Sequence, residues 1–291
     1  LAEQHPEVQT VFGEASAVLD YDLWSVVKDG PPERLNATQY TQPAMLAAGV
    51  AAWRVWGATA GVLPAWVAGH SLGEYTALVC SGALSFPDAV RLVAERARLM
   101  QAAVPMGVGA MAAVLGLDDE AVVAVCEQAS EADEAVSAAN YNAPGQVVIA
   151  GRHAAVTRAI ALARTAGAKR AVLLPVSVPS HCPLMQTAAA QFRTVLADVA
   201  FVAPAIPVIH NVDVALHPVA ADLREALERQ LYGAVRWADS VRYMAGQGVD
   251  RFIECGPGRV LAGLNKRIVP DTQTEAIFDA QSLVKASNLV L

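Results

Sequence analysis

The sequence predicts an α/β fold, with a mainly parallel sheet in a large domain and a small subdomain inserted into it. Apolar segments of strand length alternate with longer helical patterns along almost the whole chain, which is typical of parallel-sheet α/β proteins. The middle of the chain has a different order, β-α-β-β-α-β, which is typical of a ferredoxin-like unit. A composition of 54% hydrophobic and 17% charged residues over 291 positions predicts a large buried core and excludes a disordered chain.

The first part of the large domain is predicted to contain helices on both sides of one strand. Pro43 is expected in the first turn of its helix, where a missing N–H leaves no hydrogen bond unmade. Ser85 and Asp88 form an S-x-x-D signal for the start of a later helix. The predicted elements are, in order, a helix at residues 42–55, a strand at 65–69 and helices at 75–82 and 87–104.

The subdomain is predicted from a dense series of short elements, which places it at residues 106–175 and leaves 1–105 and 176–291 for the large domain. Its elements are a strand at 109–117, a helix at 118–129, strands at 135–141 and 146–151, a helix at 154–166 and a strand at 169–177. The large domain is then predicted to resume with a helix at 184–199, a strand at 206–211, helices at 219–231 and 238–246, a strand at 251–255 and a final helix after Gly256-Pro257-Gly258.

Charge, hydropathy and cysteine usage exclude several classes of protein. With 28 acidic and 21 basic residues the net charge is −7, whereas binding of nucleic acid requires a basic surface. The uncharged run at residues 55–73 is broken by glycines, a proline and a histidine, so no membrane-spanning helix is expected. The four cysteines form no C-x-x-C pair, which predicts neither a zinc site nor a disulfide framework and fits a cytoplasmic protein.

Gly69-His70-Ser71-Leu72-Gly73 matches the pattern G-x-S-x-G between a predicted strand and a predicted helix. In that context the serine lies on a sharp turn with its hydroxyl exposed, and the helix behind it offers free N–H groups to an oxyanion. An ordinary strand-to-helix turn is the competing interpretation. The context favours Ser71 as a nucleophile.

The chain has six histidines from which a general base could come. His181 lies in a proline-containing loop at residues 178–183, which could direct its imidazole at the serine. From the residues alone, an ordinary histidine in a surface loop is the slightly favoured interpretation. The other candidates are weaker: His5 and His153 lie in the opening segment and the subdomain, His70 should point away from its neighbour, and His210 and His217 have no supporting pattern.

Arg96 lies on the apolar stripe of the helix predicted at residues 87–104. A buried guanidinium keeps its charge and therefore needs an anionic partner. That partner is either an internal Asp or Glu or the carboxylate of a substrate held by two parallel hydrogen bonds, and the sequence leaves both open. Cys182, next to His181, is expected to be an ordinary buried thiol instead of a nucleophile.

A set of motifs spread over nearly the whole chain carries a resemblance to a known family. These motifs are Gly69-His70-Ser71-Leu72-Gly73-Glu74, Arg96, Asn140-Tyr141-Asn142-Ala143-Pro144-Gly145-Gln146, Pro179-Ser180-His181, Gln230-Leu231-Tyr232 and Glu254-Cys255-Gly256-Pro257-Gly258. Together they resemble the malonyl-CoA:acyl carrier protein transacylases of bacterial fatty-acid synthesis. The resemblance implies a hydrolase-like large domain and a ferredoxin-like small one.

The resemblance also implies an activity and a role for each matched residue. The chain would transfer a malonyl group from malonyl-CoA to the phosphopantetheine thiol of acyl carrier protein, with Ser71 as nucleophile and His181 as general base and acid. The main-chain carbonyl of Gln230 would orient the histidine, Arg96 would clamp the malonyl carboxylate, and the N–H of Leu72 would form half of the oxyanion hole. No metal or other cofactor is implied, and we expect a cytoplasmic monomer without nucleic-acid or membrane partners.

One part of the family pattern is not found in this sequence. The family begins with an apolar strand and a G-Q-G-S-Q segment whose first glutamine completes the oxyanion hole, and no such segment precedes Leu1. Loss of one oxyanion donor lowers turnover by about 10²–10³. We therefore expect the full activity to belong to a protein that includes this segment.

Two other functions are compatible with parts of the sequence. A serine hydrolase would release the free acid, but the H-G-G-G oxyanion segment of many such enzymes does not occur here. A non-catalytic domain that only binds a carrier protein should have lost Ser71, His181 or Arg96, and all of them are present. Because carrier proteins of this pathway are acidic, docking needs a local basic surface, for which Lys169-Arg170 and Lys266-Arg267 are candidates.

Overall fold

The computed structural model describes residues 1–176 and 178–290, which form helices and strands in nearly the predicted order. The helices are α1 Pro6–Leu19, α2 Leu23–Asp29, α3 Pro32–Asn36, α4 Thr38–Thr59, α5 Gly73–Cys80, α6 Phe86–Ala103, α7 Asp119–Ala129, α8 His153–Thr165, α9 Gln186–Ala197, α10 Ala220–Tyr232, α11 Trp237–Gly246, α12 Val260–Ile268 and α13 Ala280–Val290. The strands are β1 Val67–Ala68, β2 Gly109–Leu115, β3 Val136–Ala143, β4 Gln146–Arg152, β5 Arg170–Leu173, β6 Val208–Ile209, β7 Arg251–Cys255 and β8 Gln273–Ile277.

The strands of the large domain pair in parallel, as the alternation of strands and helices predicts. β1 pairs with β6, with Val67 opposite Val208. β7 pairs with β8 over its whole length, from Arg251 opposite Gln273 onward. Both β1 and β7 line a cavity of about 1060 Å³. The described part of the parallel sheet therefore consists of two short ladders that border one cleft.

Helices cover these ladders and form the main core. α4 packs against α1, α5 and α6, and α9 packs against α6 and α10. The fully buried side chains Leu46, Leu92 and Phe192 belong to this core. α6 is amphipathic, with exposed ion pairs on its outer side, and its inner side carries Arg96 among the buried apolar residues. The predicted placement of this arginine on the apolar stripe is therefore confirmed.

The four-stranded antiparallel sheet has the order β3-β4-β2-β5, and α7 and α8 pack on one of its faces. This is the strand order of a ferredoxin-like unit. The opposite face, through Met111 and Val148, packs around Cys182. We propose that the subdomain has the predicted bounds 106–175, since every one of these elements lies between them. This face of the sheet thus packs against the loop that carries His181.

The structure departs from the predicted elements at both ends of the chain, beginning with α1, α2 and α3, which lie before residue 42 where no element was predicted. α4 begins at Thr38, so that Pro43 lies inside the helix instead of in its first turn, because residues 38–41 add a turn tied back to the Ala37 carbonyl. The helix after Gly256 is not the last element, since β8 and α13 follow it. β8 was not predicted because Gln273, Thr274 and Glu275 give it too few apolar residues. Ser177, at the end of a predicted strand, lies outside the described residues.

None of the helices in residues 1–176 and 178–290 is long and apolar enough to cross a membrane.

The turn from β1 into α5 depends on one of its two glycines. A Cβ atom at Gly69 would overlap the main-chain carbonyl group of Gly73, whereas a Cβ at Gly73 would meet nothing within 4 Å. The first turn of α5 therefore lies directly against the Gly69 backbone. Of the two glycines in the pentapeptide, only Gly69 is required by this close approach.

We expect Gly69→Ala to lower the free energy of unfolding by about 2 kcal/mol or more, because backbone has to move to admit the methyl group. Gly73→Ala is the matched control, and it should leave stability unchanged or raise it by about 0.5–1 kcal/mol, since alanine favours a helix. Chemical denaturation of both variants measures the difference. Equal stabilities would contradict this account of the turn.

Candidate active site

Ser71 lies at the tip of the turn between β1 and α5, with a φ angle of 52°. This left-handed conformation is uncommon for a residue with a side chain and has to be held by its surroundings. The Ser71 N–H donates to Oδ1 of Asn211 at 2.7 Å, and the Ser71 carbonyl accepts from Nε2 of Gln230 at 2.9 Å. Two side chains from distant parts of the sequence therefore fix the backbone of this serine.

His181 is the histidine that contacts the serine hydroxyl. Its Nε2 lies 2.7 Å from Ser71 Oγ, and its Nδ1 lies 2.7 Å from the main-chain carbonyl oxygen of Gln230. A carbonyl oxygen only accepts, so Nδ1 must carry the hydrogen, which leaves the Nε2 lone pair free to accept the Ser71 hydroxyl proton. This is the tautomer that a general base requires.

The environment of His181 keeps its imidazole neutral. The side chain is 3% exposed, and burial lowers the pKa of His181 from 6.5 to about 3, with a further contribution from the positive charge of Arg96. The Gln230 carbonyl acts in the opposite direction but is the weaker influence. His181 is therefore unprotonated throughout the physiological pH range.

Arg96 lies beside the same hydroxyl, deep in the protein at 2% exposure. Its Nη1 donates to Oε1 of Gln42 at 2.7 Å, and its Nη2 donates to Oε1 of Gln230 at 3.0 Å and lies 3.3 Å from Ser71 Oγ. Its buried Nε has no hydrogen-bond partner. These acceptors are all neutral, and no ion pair to Arg96 is found in the described residues. The internal carboxylate that the sequence left open is therefore not in contact with this guanidinium.

The N–H of Leu72 lies between Ser71 and the first residue of α5. Leu72 immediately precedes the first residue of α5 and lines the same cavity as Ser71. Its neighbours Gly73 and Glu74 donate their N–H groups back into the turn, but within the described chain no acceptor contacts the Leu72 N–H. A free N–H at a helix N-terminus stabilises negative charge.

The remaining histidines do not contact the serine. His70 points away from it, as expected, with Nε2 2.8 Å from Oδ1 of Asn142 on β3. His210 is bonded to Glu74, and His217 to Asp213. His5 precedes α1, and His153 begins α8 in the subdomain. Cys182 is fully buried and donates to the Pro179 carbonyl, in agreement with an ordinary buried thiol.

Sequence reasoning missed several polar residues that hold this arrangement. Glu74, Asn211 and Gln42 are buried, and each bonds to the turn, to Gln230 or to Arg96. The sequence held a weak indication for two of them. Glu74 is an acidic residue in an otherwise apolar helix, and Asn211 is a polar residue just after a buried strand. The side chain of Gln230 also contacts Arg96 and Ser71, in addition to the carbonyl contact predicted for its main chain.

A serine at a strained turn, bonded to a neutral histidine and next to a free main-chain N–H, defines an enzyme that forms an acyl-serine intermediate. The buried cation beside the hydroxyl further suits an acyl group that carries its own negative charge. The fold and the site together therefore define the class of serine-dependent acyltransferases and related hydrolases.

Comparisons with known proteins are consistent with this class and narrow it. The acyl transferase domain family matches residues 12–277. The malonyl CoA-acyl carrier protein transacylase of Escherichia coli strain K12 is 54% identical over 287 residues, covering 99% of this chain and 92% of that protein. The corresponding protein of Bacillus subtilis is 42% identical over 283 residues, with 97% and 89% covered.

Solved structures agree over almost the whole chain. The malonyl CoA-acyl carrier protein transacylase of Coxiella burnetii has a TM-score of 0.97 at 48% identity, covering 99% of this chain and 91% of that one. A malonyl-transacylase in complex with its type II polyketide acyl-carrier protein has a TM-score of 0.97 at 51% identity, with 99% and 93% covered. This likeness confirms the predicted fold class. The chain belongs to the acyl transferase domain family, and within it to the malonyl CoA-acyl carrier protein transacylases.

The low pKa of His181 predicts how acylation depends on pH. Because the pKa is lowered to about 3, the base is already neutral at every pH well above that value. We expect kcat/KM for acylation, which reports the free enzyme, to be constant between about pH 5 and 7.5. Single-turnover release of coenzyme A at subsaturating malonyl-CoA measures it, with circular dichroism to verify the fold at each pH. A rate that halves near pH 6.5, the ordinary histidine value, would contradict the assignment of His181 as a buried base.

Proposed function

We propose that this chain transfers the malonyl group of malonyl-CoA to the phosphopantetheine thiol of an acyl carrier protein through a malonyl ester of Ser71. The observation that carries the proposal is the position of one hydroxyl oxygen. Ser71 Oγ lies 2.7 Å from His181 Nε2 and 3.3 Å from Nη2 of Arg96. A base and a cation therefore flank the same nucleophile, one for its proton and one for the carboxylate of the acyl group.

In the first half of the reaction, His181 Nε2 accepts the hydroxyl proton while Ser71 Oγ attacks the thioester carbonyl carbon. The oxyanion of the tetrahedral intermediate is stabilised by the free N–H of Leu72 at the start of α5. The carbon–sulfur bond then breaks, and the proton on His181 passes to the departing coenzyme A thiol. The Gln230 carbonyl, 2.7 Å from Nδ1, stabilises the imidazolium that exists between these steps.

In the second half, the thiol of the carrier protein gives its proton to the same nitrogen and attacks the serine ester. Malonyl-carrier protein departs, and Ser71 regains its proton from His181. Transfer of an acyl group between two thiols through serine is redox-neutral and needs no cofactor. Water must not reach the ester while the second substrate binds, and the burial of His181 and Arg96 supports its exclusion.

Arg96 serves as the clamp for the malonyl carboxylate in this proposal. Gln42 and Gln230 hold the guanidinium through single hydrogen bonds to Nη1 and Nη2. These neutral acceptors fix its plane without neutralising its charge, so that it retains its attraction for a carboxylate. A guanidinium already paired with an internal Asp or Glu would have little attraction left for the substrate.

The second substrate is an acyl carrier protein, and the chain acts as a cytoplasmic monomer without nucleic-acid or membrane partners. Lys169 and Arg170 are exposed, as is Lys266. Arg267 is also exposed, but it donates to the Pro144 carbonyl at 3.0 Å and to Gln146 Oε1 and so joins α12 to the β3–β4 turn. Lys169, Arg170 and Lys266 are thus the better candidates for contact with an acidic carrier.

We expect Ser71→Ala to abolish the malonyl adduct that forms when the protein is exposed briefly to malonyl-CoA, because the ester oxygen is removed. Intact-protein mass spectrometry measures the adduct. Ser180→Ala is the matched control, since Ser180 lines the same cavity. The malonyl adduct on Ser71 should still form in this variant. An adduct that persists on the Ser71→Ala protein would refute the proposed intermediate.

Arg96→Ala should reduce the rate of malonyl transfer far more than that of acetyl transfer, by about 10²-fold or more in relative kcat/KM, because only malonyl presents a second carboxylate. Arg96→Lys keeps the charge without the planar fork and should restore only part of the preference. Arg98→Ala, on the exposed side of the same helix, is the control. Equal losses with both acyl groups would assign Arg96 a purely structural role.

Reversal of Lys169 and Arg170 to Glu should raise KM for the carrier protein while acylation by malonyl-CoA keeps its rate, because only the carrier contacts this surface in the proposal. Added salt should weaken the wild-type interaction in the same way. Lys28→Glu together with Lys285→Glu, on α2 and α13 and also exposed, makes the same change in net charge and is the control. A carrier KM that responds to neither reversal nor salt would place the docking surface elsewhere.

A further inference from the structure

Glu74 is a carboxylate with no exposed surface, one residue into α5, and the mechanism above makes no use of it. Its Oε1 lies 2.6 Å from Nδ1 of His210, and its Oε2 accepts from the Asn211 N–H at 3.1 Å and from Gln230 Nε2 at 2.9 Å. Asn211 and Gln230 can only donate at these contacts. An ionised, acceptor-only carboxylate satisfies such partners, whereas removal of its charge would leave buried donors without a matching acceptor.

The amide of Gln230 connects this carboxylate to Arg96. Gln230 Nε2 donates to Glu74 while Gln230 Oε1 accepts from Arg96 at 3.0 Å. A flipped amide would turn its N–H groups toward the guanidinium and its oxygen toward the carboxylate, so the two charges fix a single orientation. Glu74 and Arg96 therefore compensate each other across one amide without direct contact, which leaves the guanidinium free for another anion.

The same carboxylate also holds the nucleophile. The Gln230 Nε2 that it fixes donates to the Ser71 carbonyl at 2.9 Å. Glu74 also accepts a hydrogen bond from the main-chain N–H of Asn211. The side chain of Asn211 in turn donates to the Gly69 carbonyl and accepts from the Ser71 N–H, both at 2.7 Å. The backbone on both sides of the strained serine is thus tied to Glu74 through one intermediate residue.

We propose that Glu74 is a positioning residue that sets the acyl-group selectivity of the enzyme by holding the serine turn and the Arg96 guanidinium in one network. The proposal rests on the proposed function, in which Arg96 binds the malonyl carboxylate. It predicts different roles for Glu74 and Asn211 within this network. Glu74 reaches both the serine and the arginine, whereas the side chain of Asn211 reaches the turn alone.

The test compares Glu74→Gln with Asn211→Ala, using kcat/KM for acylation by malonyl-CoA and by acetyl-CoA. Both variants should lose acetyl transfer by about 10–10²-fold, because a displaced nucleophile affects every substrate. Glu74→Gln should in addition lower the malonyl-to-acetyl ratio by about 10-fold or more, since the Gln230 amide that positions Arg96 loses its charged anchor. Asn211→Ala should keep that ratio within about twofold. An unchanged ratio in Glu74→Gln would overturn the proposal.

A second variant covers the case in which Glu74→Gln does not fold. The exchange Glu74→Gln with Gln230→Glu conserves net charge and volume but places the carboxylate against Arg96, where it forms a direct ion pair. The malonyl-to-acetyl ratio should then fall by at least as much as in Glu74→Gln. A retained ratio in the exchanged protein, or failure of both proteins to fold, would overturn the proposal. A wild-type protein that does not discriminate malonyl from acetyl would instead contradict the proposed function.

Discussion

Burial of a guanidinium among neutral acceptors is the constraint on which the site depends. A cation at 2% exposure is unfavourable unless hydrogen bonds and a nearby negative charge compensate the loss of water. Gln42 and Gln230 supply the hydrogen bonds to Arg96, and Glu74 supplies the charge behind the Gln230 amide. A direct ion pair would be more favourable locally but would occupy the group that binds the malonyl carboxylate in the proposed function. In the structure, the compensating negative charge of Glu74 is therefore separated from Arg96 by one residue, Gln230.

The position of the histidine depends on both parts of the molecule. His181 receives its Nδ1 partner from the end of α10 in the large domain, and its own N–H donates to the Leu231 carbonyl on the same helix. The next residue, Cys182, is packed against Met111 and Val148 on the free face of the subdomain sheet. His70 and Asn142 make a further contact between the parts, close to the serine. The loop that carries His181 is thus packed against the subdomain sheet on one side and hydrogen-bonded to α10 on the other.

The sequence predicts the local parts of this structure and misses the distant ones. The serine turn, the start of α6 at Ser85 and the apolar stripe around Arg96 follow from residues that are close along the chain, and the structure agrees with each of them. Glu74 and Asn211 could not be assigned, because their partners lie 137 and 140 positions away. For Arg96, the sequence could state only that an anion was needed, since the choice between internal and substrate carboxylate depends on the final packing. β8 was missed because a half-polar strand is stabilised by its pairing with β7 and not by its own composition.

The proximity of Arg96 to His181 links substrate recognition to the strength of the base. The positive charge of Arg96 is one of the causes that lower the pKa of His181 to about 3, and a base this weak accepts a serine proton with difficulty. The Ser71 hydroxyl contacts both Arg96 Nη2 and His181 Nε2, so the guanidinium lies close to the imidazole. A carboxylate bound to the guanidinium would cancel much of the positive charge that acts on His181. The imidazolium that forms during attack would then be less disfavoured, because the repulsion from Arg96 is removed. In the proposed reaction, the malonyl group therefore strengthens the base that deprotonates Ser71, which an acetyl group cannot do. Such an arrangement places selectivity in the chemical step as well as in binding, since the interaction is strongest when charge develops on the histidine.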